Sequence, residues 1–70
     1  MQISINKIDI DVPEQASLQQ AVACFESAHG VFTRPYAAAV NLQFVPSSQY
    51  ASTPLQAGDQ VEVIRPVTGG

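Results

Sequence analysis

The residues best suited to chemistry are the two glycines at the end of the 70-residue sequence, Gly69 and Gly70. Folding alone does not account for this pair, because glycine loses the most backbone freedom on ordering and adds no side chain to a core. A tip without side chains can carry a carboxylate into a narrow active site. Coupling to AMP would make that carboxylate an acyl electrophile, open to attack by a sulfur nucleophile. The sequence therefore points to the carboxylate of Gly70 as the reactive group.

No set of side chains in the sequence forms a conventional catalytic or metal-binding motif. His29 is the only histidine and Cys24 the only cysteine. We expect structural roles for both, with Cys24 half-buried at the edge of the apolar face of a helix and no cation nearby to activate its thiol. Asp9 and Asp11 project from the same face of one strand, where two carboxylates are too few ligands for calcium. The chain is therefore predicted to be no enzyme, with no catalytic residue and no metal site.

The composition predicts one folded domain that works with other proteins. Hydrophobic residues make up 46% of the chain and charged residues 13%, which favours a globule over a disordered segment. The net charge is −3 with only three basic residues, so nucleic acid and anionic membranes are not expected as partners. There is no apolar run of the roughly 20 residues that cross a bilayer, and the first residues do not resemble a signal peptide. A cytoplasmic location is therefore expected.

Alternating apolar residues predict a β-hairpin, and a helical repeat follows it. Apolar and polar residues alternate over residues 2–12, with a tight turn expected at Asn6-Lys7. Ser17 and Gln20 match a capping box at the start of a helix of about twelve residues, which Gly30 ends. The apolar face of this helix is predicted to contain Leu18, Ala21, Val22, Phe25 and Ala28.

The second half of the chain is predicted to complete the sheet. Two short strands, residues 36–40 and 44–45, flank a turn at residues 41–43, and a short helical turn is expected around Tyr50. The last strand, residues 60–67, is expected to be long and to fill the centre of the sheet.

The predicted organisation separates a folded body from a tail. The body, residues 1–65, is an α+β domain in which one main helix packs on one face of a mixed sheet of four to five strands. A flexible tail over residues 66–70 follows, and it spans roughly 16 Å when extended. This length would let Gly70 enter a recessed active site of a partner while the body stays outside. The tail consists of Pro66, Val67, Thr68, Gly69 and Gly70.

The last strand also indicates where a partner would dock. If Val61 and Val63 point inward, Ile64 points outward beside the tail. Ile64 is therefore a candidate partner-surface residue, and Phe44 and Tyr50 are candidates to extend an apolar patch around it.

Two segments carry a recognisable sequence pattern. Residues 40–46 read V-N-L-Q-F-V-P, and residues 57–70 read A-G-D-Q-V-E-V-I-R-P-V-T-G-G. In this pattern the chain resembles the ThiS family, the ubiquitin-like sulfur carrier proteins of thiamine biosynthesis. The resemblance covers the chain in length and order of elements, and it implies a ubiquitin-like β-grasp fold.

The resemblance also implies a reaction and its partners. A ThiF-like adenylating enzyme would activate Gly70 with ATP and magnesium, both of which belong to that enzyme, since no cofactor is expected on this chain. A cysteine-desulfurase-derived persulfide would supply sulfur to form a thiocarboxylate. A ThiG-like thiazole synthase would receive that sulfur for the thiazole moiety of thiamine.

The sequence departs from the family pattern at a few positions. Ser47 follows Pro46 where family members often have a basic residue, the next aromatic residue is Tyr50, and Thr68 stands where small residues are common. These differences bear on the pairing with partners more than on the terminal chemistry.

Three other functions stay open. The molybdopterin-synthase small subunit, represented by MoaD, shares the fold and the tail, although the short chain and the V-N-x-x-x-V-P segment speak against it. A ubiquitin-like protein modifier would join Gly70 to a lysine, and a non-covalent binding module would not use its tail. A plant-type ferredoxin, which is also a β-grasp protein, is excluded because an iron–sulfur site of that kind needs four cysteines.

Overall fold

A computed structural model describes residues 1–64, which form a five-stranded mixed sheet with one α-helix across one face. In chain order the elements are β1 (Gln2–Ile5), β2 (Ile8–Asp11), α1 (Leu18–His29), β3 (Ala37–Val40), β4 (Gln43–Val45), a 3-10 helix (Ser47–Ser52) and β5 (Gln60–Ile64). The strands lie in the order β2-β1-β5-β3-β4, and only the β1–β5 pair is parallel. The predicted α+β architecture and the central position of the last strand are confirmed. The part of the last strand predicted beyond Ile64 lies outside the described residues.

Both hairpins close through two-residue turns with left-handed backbone. Asn6 and Lys7 have φ angles of 51° and 69°, and Asn41 and Leu42 have φ angles of 50° and 69°. Turns with two positive φ angles match the right-handed twist of the paired strands, and asparagine tolerates this conformation at little steric cost. The turn predicted at Asn6-Lys7 is confirmed. The second turn is shorter than predicted, since Gln43 already belongs to β4.

The helix begins at the predicted capping box. The Ser17 hydroxyl accepts a hydrogen bond from the Gln20 amide at 3.1 Å, and the Gln20 side chain accepts one from the Ser17 amide at 2.9 Å. At the other end, Gly30 has a φ of 104° and its amide donates to the carbonyl of Glu26. Two donors at the start of the helix are thus satisfied, and glycine provides the end that the sequence predicted.

The buried face of the helix is narrower than the sequence predicted. Leu18, Ala21, Val22 and Phe25 are buried, whereas Ala28 and Cys24 are exposed. The prediction for Ala28 and for a half-buried Cys24 is therefore wrong. In the last helical turn the packing runs through aromatic rings instead, because Phe25 stacks on His29 at 4.6 Å and on Phe32 at 5.3 Å.

The hydrophobic core lies between the helix and the sheet. Its strand residues alternate in burial, so that Val61 and Val63 of β5 point inward while Glu62 and Ile64 point outward, as predicted. The chain between the 3-10 helix and β5 adds Leu55, whose amide donates to the carbonyl of Ala16 at 2.9 Å. The buried residues are Ile3, Ile5, Val12, Ala16, Leu18, Ala21, Val22, Phe25, Ala38, Val45, Leu55, Val61 and Val63. Among residues 1–64, no helix has the length and apolar character needed to cross a membrane.

Replacing Ile5 with alanine should destabilise the fold far more than the same change at Ile8. The two isoleucines are cross-strand partners in the first hairpin, but Ile5 is 0% exposed and Ile8 is 42% exposed. Truncating a buried side chain leaves a cavity. Ile5→Ala should therefore lower the free energy of unfolding by about 2–5 kcal/mol, as measured by urea titration. Ile8→Ala is the matched control, with an expected loss under about 1 kcal/mol. Equal losses in the two variants would contradict the position of the core.

Candidate functional site

The candidate site is the end of β5, because the tail predicted to react follows it in sequence. Ile64 is the last residue that the structure describes. The tail, residues 66–70, and the predicted boundary between residues 65 and 66 lie outside the described residues. The described chain therefore defines the strand that leads into the tail and the surface around it.

The end of β5 is held from both sides, by strand pairing with β3 and by hydrogen bonds from Asn6. On the β3 side, Ala38 pairs with Val63 and Ala37 pairs with Ile64. On the β1 side, the last strand pair joins Ile5 to Val61, and β1 then ends. Beyond this pair, the Asn6 side chain bonds the backbone of β5. Its Oδ1 accepts from the Val63 amide at 2.8 Å, and its Nδ2 donates to the Val63 carbonyl at 3.2 Å.

A second asparagine holds the beginning of β5. The backbone amide of Asn41 donates to the Gln60 carbonyl at 2.7 Å, and the Asn41 Oδ1 accepts from the Gln60 amide at 2.9 Å. The Asn41 Nδ2 also donates to Asp59 Oδ1 at 3.1 Å. The other oxygen of Asp59 accepts from the Gln56 amide at 2.8 Å, which closes the turn before the strand. Each hairpin turn thus provides one carboxamide to the central strand.

The sheet face opposite the helix carries an exposed apolar strip, formed by Phe44, Ala39, Ala37 and Ile64. The strand register pairs Ala39 with Phe44 and Ala37 with Ile64, so these side chains lie on the same face. Phe44 is 64% exposed and Ile64 is 59% exposed, and the alanines between them leave the strip shallow. Large apolar side chains grouped on one face in this way are typical of a protein-binding surface.

Acidic residues border the apolar strip on the β5, β1 and β2 side of the same face. Glu62 is the cross-strand partner of Ala39, and Asp9 and Asp11 extend from β2. All three carboxylates are exposed. A partner that covers this face would therefore meet an apolar area next to negative charge.

Tyr50 does not belong to the apolar strip, contrary to the prediction that grouped it with Ile64 and Phe44. Its ring stacks on Tyr36 with 6.0 Å between centroids and 4° between planes, and it packs against the core. Burial, followed by the nearby Tyr36, raises the pKa of the Tyr50 phenol. The sequence did not distinguish the two locations, because an aromatic residue in an irregular segment has no periodicity that indicates its direction.

The loop between α1 and β3 is held by one carboxylate. Glu26 accepts from the Phe32 amide at 2.9 Å and from both terminal nitrogens of Arg34 at 3.2 and 3.4 Å. Arg34 in turn lies over the Tyr36 ring, 5.2 Å from its centroid. Hydrogen bonds from Arg34 and then from Phe32 hold the pKa of Glu26 below its ordinary value of 4.5. This arrangement places the start of β3, which pairs with the end of β5.

A cleft of about 210 Å³ opens between this loop and the end of β5. It is lined by Asn6, Phe32, Thr33, Tyr36, Val63 and Ile64. The loop between α1 and β3, the first hairpin turn and the end of β5 therefore meet at this cleft.

The other residues that the sequence singled out do not gather into a site. His29 stacks on Phe25, Cys24 is exposed on the helix, and Asp9 and Asp11 lie on the open sheet face. Within residues 1–64, no three His, Cys, Asp or Glu side chains come together as a metal site would require. The role of Asn6 and Asn41 was missed, because asparagine at a tight turn is already explained by its backbone conformation.

Within residues 1–64, the strand order β2-β1-β5-β3-β4 and the one α-helix across the sheet define a ubiquitin-like β-grasp fold. The model of the ThiS family matches residues 3–70, which is almost the whole sequence. The chain therefore belongs to the ThiS family, whose members are small sulfur carrier proteins.

Solved structures show the same fold. A crystal structure of the thiamine biosynthesis protein ThiS from Geobacter metallireducens superimposes with a TM-score of 0.78 at 18% identity, covering 100% of both chains. A chain from the complex of subunits 1 and 2 of the molybdopterin-converting factor of Helicobacter pylori superimposes with a TM-score of 0.65 at 20% identity, again over 100% of both chains. At these identities the likeness shows the fold alone. No curated protein matches the chain in sequence.

Replacing Glu26 with glutamine should weaken the fold in a pH-dependent way. A carboxyl whose pKa is lowered by folding stabilises the protein above its unfolded pKa, and that stabilisation is lost as the pH falls through the lower, folded pKa. Glu26→Gln should therefore unfold at a lower temperature than the unmodified chain at pH 7, and the two melting curves should converge as the pH is lowered from 4.5 to more acidic values. Glu62→Gln, on the open sheet face, controls for the loss of one negative charge. A difference that persists unchanged in acid would contradict the assigned role of the carboxylate.

Proposed function

We propose that this chain carries sulfur on its Gly70 carboxylate for the thiazole moiety of thiamine. The observation that supports the proposal most directly is the extent of the family match, which reaches residue 70 and so includes the terminal glycines. The described residues add a central strand held on both sides, a suitable support for a terminal group that other enzymes process. Within residues 1–64, no three His, Cys, Asp or Glu side chains lie close enough together to bind a metal ion.

The proposed chemistry takes place in the partners. A ThiF-like enzyme, using ATP and magnesium, lets a carboxylate oxygen of Gly70 attack the α-phosphorus of ATP, with release of pyrophosphate. The outer sulfur of a cysteine-desulfurase-derived persulfide then attacks the acyl carbon and displaces AMP. A thiol reduces the resulting acyl disulfide to the thiocarboxylate. The thiocarboxylate finally passes its sulfur to a ThiG-like thiazole synthase.

The apolar strip is the proposed docking surface for these partners. Ile64 lies on the strip at the end of β5, so a partner that covers the strip also lies close to the start of the tail. The acidic border suits a partner with basic side chains around its apolar contact, since complementary charge steers association. Phe44 and Ile64 are the proposed anchors, because they are the large exposed side chains of the apolar strip.

Intact mass spectrometry tests the terminal chemistry. Incubation with the ThiF-like enzyme, ATP, magnesium, a persulfide donor and a reducing thiol should replace one oxygen of the chain by sulfur. A chain without Gly70 should fold as the full chain does, because Gly70 adds no side chain to the core, and it should gain no sulfur. A branched product on lysine would support a protein modifier instead. An unchanged mass under all these conditions would favour a non-covalent binding module.

The molybdopterin-synthase small subunit is the second candidate, because this chain shares the fold of a chain from the molybdopterin-converting factor of Helicobacter pylori. Deletion of the gene separates the two carriers. A requirement for added thiamine supports the proposed function, and loss of molybdenum-enzyme activity supports the alternative.

Ile64→Ser and Phe44→Ser should each weaken binding to the ThiF-like enzyme by about tenfold without lowering stability. Both side chains are exposed in the free chain, so the change acts on the contact with the partner, where burying such a side chain contributes about 1.5–3 kcal/mol. Calorimetric titration measures the dissociation constant. Val31→Ser is the control, since Val31 is 76% exposed on the loop after α1. Wild-type affinity in both strip variants would exclude the strip as the docking surface.

A further inference from the structure

The end of β5 is supported differently on its two sides. On the β3 side, the strand register continues to Ile64. On the β1 side, the backbone of Asn6 donates to the Val61 carbonyl at 2.9 Å, and the chain then turns away. Asn6, with a φ of 51°, already belongs to the turn, and the register of β1 with β5 ends at Val61. The backbone of β1 thus offers nothing to the amide and carbonyl of Val63.

The Asn6 carboxamide replaces the missing peptide groups. It has one acceptor and two donor hydrogens, and it bonds both the amide and the carbonyl of Val63. These contacts join positions 57 residues apart in the chain and are partly buried. One side chain therefore continues the parallel pairing to Val63, two residues beyond the last residue of β5 that is paired with β1.

We propose that Asn6 is a positioning residue for the adenylation of Gly70, an inference that rests on the proposed function. Gly70 follows Val63 by seven residues, so an extended chain between them spans roughly 23 Å. Asn6 holds Val63 in the sheet before a partner binds. Without these bonds, Val63 and Ile64 would also have to be ordered each time the carboxylate is aligned, and ordering backbone residues costs free energy. Catalysis depends on reacting atoms being held close to their productive position. Asn6 thereby raises the fraction of docked chains whose carboxylate is aligned.

This role predicts that loss of Asn6 lowers the rate of turnover and leaves the binding of the partner unchanged. Asn6 is not part of the apolar strip, so its loss leaves the docking residues in place. The maximal rate of pyrophosphate release should fall, while the KM for the carrier changes little. A residue that only stabilised the fold would change neither parameter under conditions where the chain is fully folded.

The chain provides a matched pair of variants, Asn6→Gly and Asn41→Gly. Both asparagines are the first residues of left-handed turns, with φ angles of 51° and 50°, which glycine adopts without strain. Each variant loses two side-chain hydrogen bonds at β5 or next to it, Asn6 at its end and Asn41 at its beginning. Similar losses of stability are expected, but only Asn6→Gly releases the residue next to Ile64.

Two measurements test the proposal with the ThiF-like enzyme, ATP and magnesium. Hydrogen exchange by NMR should show the Val63 amide exchanging at least tenfold faster in Asn6→Gly than in the unmodified chain or in Asn41→Gly. The kcat of pyrophosphate release should fall at least fivefold in Asn6→Gly, with KM within twofold, and Asn41→Gly should keep the unmodified kcat. Asn6→Asp keeps the acceptor for the Val63 amide but lacks the donor. Its Val63 exchange rate and its kcat should therefore lie between those of the unmodified chain and those of Asn6→Gly.

The outcomes separate this inference from the proposed function. An unchanged kcat in Asn6→Gly, or an equal fall in Asn6→Gly and Asn41→Gly, overturns the positioning role and leaves the sulfur-carrier function intact. If the unmodified chain releases no pyrophosphate, the proposed function fails, and the positioning role fails with it.

Discussion

The structure depends on pairing the last strand of the chain in the middle of the sheet. β5 lies between β1 and β3, parallel to the first and antiparallel to the second. A strand in this position can satisfy its backbone groups on both sides and bury one of its faces. Val61 and Val63 are buried in the core beneath it, so the strand that leads to the terminal glycines is anchored in the core by one of its faces. The other elements can be understood by how they complete this strand.

The two hairpins flank β5, and their turns do more than reverse the chain. In each turn an asparagine adopts the left-handed backbone that the hairpin needs and uses its side chain to bond β5. Sequence rules assign asparagine to such turns for the first reason alone. The second reason depends on contacts 18 to 57 residues distant in the chain, and no local pattern contains it. A residue can therefore be correctly predicted in its conformation and still be missed in its function.

Much of the fold could be predicted from local patterns. The alternation in residues 2–12, the capping box at Ser17 and Gly30 gave the first hairpin and the helix correctly, because each pattern reflects contacts within a few residues. The alternation in β5 also placed Ile64 outward. The failures concern residues whose burial is decided by distant partners. Ala28 fits the helical repeat but is exposed, and Tyr50 stacks on Tyr36 away from the open sheet face. The prediction for the terminal glycines rests on their type and position alone, and it stays a prediction because they lie outside the described residues.

The parallel pairing of β1 with β5 also constrains the order of events during synthesis. Ser4 is opposite Gln60, so the two ends of the described chain must meet before the sheet is complete. Contacts so far apart in sequence slow folding, because a long loop must close before they form. A nascent chain still lacking residues 60–64 can form the two hairpins but has no strand to join them. Premature release from the ribosome before that point therefore yields a chain whose two hairpins cannot be joined into one sheet.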